Sequence, residues 1–154
     1  MTPAQQSSVE RIGGALTQAG LARLPSRLFA ALLVDDDGRM TSAELASALG
    51  VSPAGISGAV GYLELLGMLR RERERGSRRD VYVVDDDAWH GAMMSHDQIY
   101  GPIKASLEHS LSALGPDAPA HRRVAMSLDF LHFVEAELDE ITDKWEKHKA
   151  ELGY

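Results

Sequence analysis

The run from Thr41 to Gly67 leaves this chain the fewest folds to choose from. Thr41 or Ser42, followed by Glu44, is a helix start signal. The segment SAELASAL then sets Leu45, Ala46 and Leu49 on one face, and Gly50 stops the helix. A second helix opens at once, with Ser52 as a good N-cap and Pro53 at the first helical position. It is predicted over 53–66, with Ile56, Val60 and Leu63 as its buried stripe and Gly67 as its end. Two short helices joined through a glycine-containing turn form a helix-turn-helix.

After Gly67 the period changes from helical to alternating. Val81, Tyr82, Val83 and Val84 are β-branched or aromatic, so 80–85 is predicted as a strand. Residues 68–75 are its antiparallel partner across a tight Gly76-Ser77 turn. A hairpin directly after a helix-turn-helix is a wing.

The flanks read as helices. Val9, Ile12 and Leu16 predict one over 4–19, although Gly13 and Gly14 weaken it and make it dependent on packing. A second, about 25–34, carries Leu28, Phe29, Leu32 and Leu33. Asp35, Asp36, Asp37 and Gly38 form a polar turn. Asp85 to Asp87 cap the start of the C-terminal helices. One of these runs from Ile99 to Leu114, with Pro102 as a kink or start. From about residue 120, Val124, Leu128, Leu131, Val134, Leu138, Ile141 and Trp145 predict an amphipathic helix of about 30 residues. The expected fold class is mainly α (α+β).

The net charge of −7 argues at first against a polyanionic partner. The distribution decides otherwise. Residues 81–154 hold fourteen acidic side chains against six basic ones, while residues 41–80 hold six arginines against five acids. All six arginines lie between positions 70 and 79. A basic element on an acidic body suits DNA binding through that element alone.

The second helix of such a motif enters the DNA major groove with its N-terminal residues on the base edges. On a helical wheel, Ala54, Ser57, Gly58, Gly61 and Tyr62 fall opposite the buried stripe. With Ser52 and Pro53 at the helix start, and Thr41 and Ser42 at the start of the preceding helix, they are the candidate DNA contacts. This face has no Arg, Lys, Asn or Gln, the side chains that read bases bidentately. Gly55, Gly58 and Gly61 form a smooth stripe, which either close approach to DNA or close helix packing accounts for. On the wing, Arg78 and Arg79 sit at the tip. Alternation puts Arg71, Arg73 and Arg75 on one strand face, with Glu72 and Glu74 on the other. Arg73, Arg75, Arg78 and Arg79 complete the candidate DNA-binding set. A solvated hairpin with cross-strand ion pairs, such as Arg75 with Asp80, is the plainer alternative.

No nucleophile–base arrangement, G-x-G-x-x-G or P-loop is present, so no enzymatic activity and no cofactor are expected. The chain has no cysteine. His90, His96 and His132 lack the spacing that sets two imidazoles on one helix face, so no metal site is expected. The Asp35–Gly38 run lacks the glutamate that a calcium loop needs at its twelfth position; Ala46 stands there. No apolar run reaches the ~18 residues of a membrane helix, and MTPAQQSSVE has no leader character. A cytoplasmic location without membrane association is expected. Trp89, Met93, Tyr100, Phe130 and Phe133 are candidates for a small-molecule pocket, with ordinary core and subunit interface as the alternative.

The run MTSAELASALGVSPAGISGAVGYLELLGMLRRERERGSRRDVYVV resembles the winged-helix core of MarR-type transcriptional regulators, and with its G-S-R-R wing it is most similar to their GbsR-like branch. The specific match spans residues 23 to 87. The resemblance implies a double-stranded DNA partner and a homodimer built by flanking helices. It divides the chain into an N-terminal dimerisation helix (1–22), a winged helix-turn-helix DNA-binding domain (23–87) and a C-terminal helical dimerisation region (88–154). It assigns DNA contacts to Ser52, Pro53, Ala54, Ser57, Gly58, Arg78 and Arg79. Gly61 departs from the pattern, since relatives often carry a basic residue there. The implied function is a regulator, on balance a repressor, that occupies a pseudo-palindromic operator and is released by a small effector. The rival is a winged-helix protein-interaction module that does not bind DNA.

Overall fold

The structure, a computed structural model, describes residues 1–153 other than Glu74, Arg75, Ser77, Arg78 and Ser95; for Met94 and residues 96–98 it describes the backbone alone. The chain forms two compact units, Met1–Gly91 and Ala92–Tyr154.

The first unit opens with α1 (Pro3–Gln18) and α2 (Arg23–Leu33). Thr2 and Gln5 form a capping box at the start of α1, which supplies two of the acceptors that helix N-termini lack. The expected dependence of α1 on packing is met at Gly13. A Cβ there would stand 3.2 Å from the Arg27 Cα, so glycine lets α1 and α2 approach closely.

The helix-turn-helix forms α3 (Ser42–Leu49) and α4 (Pro53–Leu65). Thr41 caps α3 and makes a capping box with Glu44. Gly50 closes α3 in the left-handed region, at φ +67°, where a side chain would be strained. Ser52 caps α4 by accepting the Gly55 N–H. Leu28, Phe29 and Leu32 of α2 form the core with Leu45 of α3 and Ile56, Val60 and Leu63 of α4, and none of these is measurably exposed. The stripe expected for α4 is therefore the buried one.

The wing strands are β2 (Arg70–Arg73) and β3 (Asp80–Val83), antiparallel with Arg71 opposite Tyr82. β2 begins at Arg70 rather than at 68, and β3 ends at Val83 rather than at 85; residues 74 and 75 lie outside the described residues. A third strand, β1 (Arg39–Thr41), pairs with β3 and gives the sheet order β1-β3-β2. Sequence reading placed only a turn before Thr41. Three residues with a single buried member, Met40, are too few to show alternation. As the central strand, β3 buries Val81, Tyr82 and Val83 alike.

Gly38 makes this pairing possible. Its φ is +62°, and a Cβ would lie 2.8 Å from the Val84 carbonyl oxygen, while its own carbonyl accepts the Val84 N–H at 2.9 Å. Gly38→Ala adds left-handed strain of about 1–2 kcal/mol to that clash. The expected result is destabilisation of about 2 kcal/mol or more, measured by urea denaturation.

Helix α5 (Ala88–Met94) follows, with the Ala88 N–H donating to the Asp85 carbonyl. The second unit holds α6 (His96–Leu114) and α7 (His121–Leu152). Pro102 lies inside α6 rather than at its start. The expected stripe of α7, from Val124 to Leu138, is half-buried, and Lys104 of α6 pairs with Glu135 of α7. Met126, Phe130 and Phe133 form a second apolar stripe, 62%, 61% and 60% exposed. It is centred roughly 130° round the helix from the first, at ~100° per residue. Among the described residues no helix is long and apolar enough to cross a membrane.

Candidate nucleic-acid interface

The outer face of α4 is uncovered. Ser52, Pro53, Ala54, Ser57, Gly58, Gly61 and Tyr62 are all exposed, as the helical wheel predicts. Leu65, which sequence reading left out, extends this face at 54% exposed. The glycines divide into two kinds. A Cβ at Gly55 would sit 3.4 Å from Leu24 Cδ2, whereas at Gly58 and Gly61 nothing lies within 4 Å. Packing inside the chain therefore accounts for Gly55 but not for the other two. The start of α4 is partly used up by its own cap. Pro53 has no N–H, Ser52 takes those of Gly55 and Ile56, and the amide of Ala54 remains to meet a phosphate.

Thr41 and Ser42 are half-buried at the start of α3. The Thr41 hydroxyl is committed to Glu44, donating to its carboxylate at 2.7 Å and accepting its backbone N–H at 3.3 Å. The Thr41 N–H also donates to that carboxylate. These bonds hold the Glu44 carboxyl below its ordinary range, and the nearby Arg79 charge adds to the effect.

The hairpin arginines have three fates. Arg70 forks onto Asp85, with Nε to Oδ2 at 3.0 Å and Nη2 to Oδ1 at 2.9 Å, and also pairs with Glu72. Glu72 binds Arg39 of β1 at 2.8 Å. Arg71 donates through Nη2 to Glu64 of α4 at 3.0 Å and through Nη1 to Asp80 at 3.4 Å. Its guanidinium stands 5.7 Å from the centroid of the Tyr82 ring, in cation–π range. Arg73 is exposed, and among the described residues it makes no ion pair. Arg75 and Arg78 lie outside the described residues, and with them the expected Arg75–Asp80 pair. The carboxylate of Asp80 is engaged by Arg71.

The Arg70 pair lowers the Asp85 pKa, chiefly through its hydrogen bonds. Like Glu44, Asp85 contributes stability above the ordinary carboxylate range and loses it as pH falls through its lowered value. The wing root and the α3 cap therefore stay charged at neutral pH.

The remaining candidates are spread over both units. In the first, Trp89 is half exposed and meets Phe29 edge-on, with centroids 5.3 Å apart at 77°. In the second, Met93 is exposed and Tyr100 half-buried. Phe130 and Phe133 line an open groove along α7 with His121, Met126 and Asp129.

Comparison with known proteins matches both parts of the chain. Residues 19–80 fit a family model described as MarR family, and residues 87–148 fit one described as MmpR5-like MarR family transcriptional regulator. The HTH-type transcriptional regulator MmpR5 of Mycobacterium tuberculosis is 30% identical over 145 residues, spanning 93% of this chain and 87% of that protein. A crystal structure of a transcriptional regulator superposes with a TM-score of 0.83 at 29% identity, covering 94% of this chain and 99% of the other.

Proposed function

Because this chain belongs to the MarR family of DNA-binding transcriptional regulators, we propose that it is a repressor that occupies a pseudo-palindromic operator as a homodimer. The observation that carries this reading is the bare outer face of α4 beside a hairpin with exposed Arg73. The α4 face would enter the major groove, and Arg73, Arg75, Arg78 and Arg79 would meet flanking phosphates. The branch is a narrower matter: the GbsR-like resemblance rests on the winged-helix run alone, and the family model over 87–148 is MmpR5-like.

The homodimer is supported by α7. None of its 32 residues is fully buried, and its second apolar stripe is continuous enough to want a partner helix. On this reading 1–22 and 88–154 hold the dimer and 23–87 holds DNA. A small amphipathic effector that changed the spacing of the two lobes would release the operator. Trp89, Met93, Tyr100, Phe130 and Phe133 are the candidate contacts for such an effector, with the subunit interface as the alternative role of Phe130 and Phe133.

The apolar α4 face, with Tyr62 and Leu65 exposed, also suits a protein partner, and that rival predicts no duplex binding. Salt dependence tests the wing. Arg73→Ala with Arg79→Ala should weaken DNA binding and flatten the plot of log affinity against log salt by about one unit for each phosphate no longer neutralised. An unchanged slope in an anisotropy titration would take these two arginines out of the interface.

A further inference from the structure

Arg71 does not resemble the other wing cations. It sits on β2, yet its guanidinium spans Glu64 on the last turns of α4 and Asp80 at the start of β3, over the Tyr82 ring. Two carboxylates neutralise it locally, so it offers a phosphate little net charge. Of the ion pairs named above, the one between Arg71 and Glu64 is the pair that ties α4 to the hairpin.

We propose that Arg71 and Glu64 are positioning residues: their bridge fixes the wing at a set angle to α4, so that both elements meet the duplex together. The proposal rests on the DNA-binding reading. A helix and a hairpin that reach DNA as one body lose their freedom on folding, before binding. If they are hinged, that freedom is lost on binding and affinity falls. The absence of any base-reading cation on α4 makes this matter more here. A weak groove contact helps only if the wing holds it in place.

Glu64→Gln gives the test its sign. If Arg71 were itself a DNA contact, removing its competing carboxylate would free the cation and tighten binding. If the pair positions the wing, binding weakens although a negative charge has been removed near DNA. The probe is the duplex that the wild-type protein enriches from a random-sequence library. Because the pair is partly exposed, the expected loss is roughly two- to fivefold for Glu64→Gln and for Arg71→Gln. The salt slope should stay that of the wild type, and Glu64→Arg with Arg71→Glu should recover affinity. Tighter binding by Glu64→Gln, or a slope flattened by Arg71→Gln, would overturn the assignment.

A second measurement needs no DNA. The chain has no cysteine, so nitroxides placed at Tyr62→Cys and Arg73→Cys label only α4 and the wing. In labelled chains diluted with unlabelled ones, Glu64→Gln should broaden the distance distribution between them. An unchanged width would refute the positioning role. A wild type that enriches no duplex would instead refute the DNA-binding reading and leave this distance measurement to decide the bridge.

Discussion

Replacing Phe130 and Phe133 with aspartate is expected to leave a folded chain that sediments as a monomer at concentrations where the parent is expected to sediment as a dimer. Both rings are about 60% exposed in the single chain, beside the equally exposed Met126. Burying a phenylalanine is worth about 1.5–3 kcal/mol, and a dimer would bury two from each chain. Aspartate removes that gain and adds a charge that is costly to bury unpaired. The dimer constant should therefore weaken by more than about a thousandfold. DNA affinity should fall by about a hundredfold or more, since a lone lobe loses the effective concentration that linkage to its twin provides. Phe130→Leu with Phe133→Leu should keep most of both. Because neither ring lies in the core, circular dichroism should be unchanged. An aspartate variant that still sediments as a dimer would show that this stripe faces no partner.

Phe29→Ala is the second large effect, and it acts through the fold. Phe29 is completely buried in α2 and meets Trp89 edge-on. Truncating a buried phenylalanine costs about 3–5 kcal/mol, from lost transfer energy and the cavity left behind. In a unit of this size that lowers Tm by roughly 15 °C or more. Trp89 reports the change directly, since its fluorescence should shift to the red as its neighbour is removed. DNA binding would fail with temperature, because α2 supports α4 from beneath. At low temperature the folded fraction should bind with the wild-type salt slope. A flattened slope there would mean that the substitution had moved the wing as well.

The parts of the molecule that could be read from sequence are those set by local chemistry. Ser52, Pro53 and Gly50 mark their helix ends because cap geometry needs only a few neighbouring residues, and Ile56, Val60 and Leu63 reveal the buried side of α4 by spacing alone. Strand β1 stayed hidden because Arg39–Thr41 exists only by pairing with β3, which comes about forty residues later in the chain. The fates of the arginines were equally out of reach. Alternation groups Arg71 with Arg73, but their difference lies in Glu64 and Asp80, which the fold brings to one of them. The glycines of α4 permitted two explanations until the structure separated Gly55, packed against Leu24, from Gly58 and Gly61, where a Cβ would touch nothing. On α7 the periodic stripe drew attention to the side that meets α6. Phe130 and Phe133 were open to either a pocket or an interface, and their exposure beside Met126 shows a second face that the spacing of the first stripe did not point to.

The central claim is that the α4 face and the wing together hold duplex DNA. It is tested most directly by incubating the purified protein with a random-sequence duplex library at low salt, with excess non-specific competitor, and titrating the enriched duplex at two salt concentrations. The account predicts a two-fold-symmetric site with half-sites about one helical turn apart, bound despite competitor and more weakly as salt rises. A folded dimer that retains no duplex at low salt would contradict it and would give the α4 face to a protein partner.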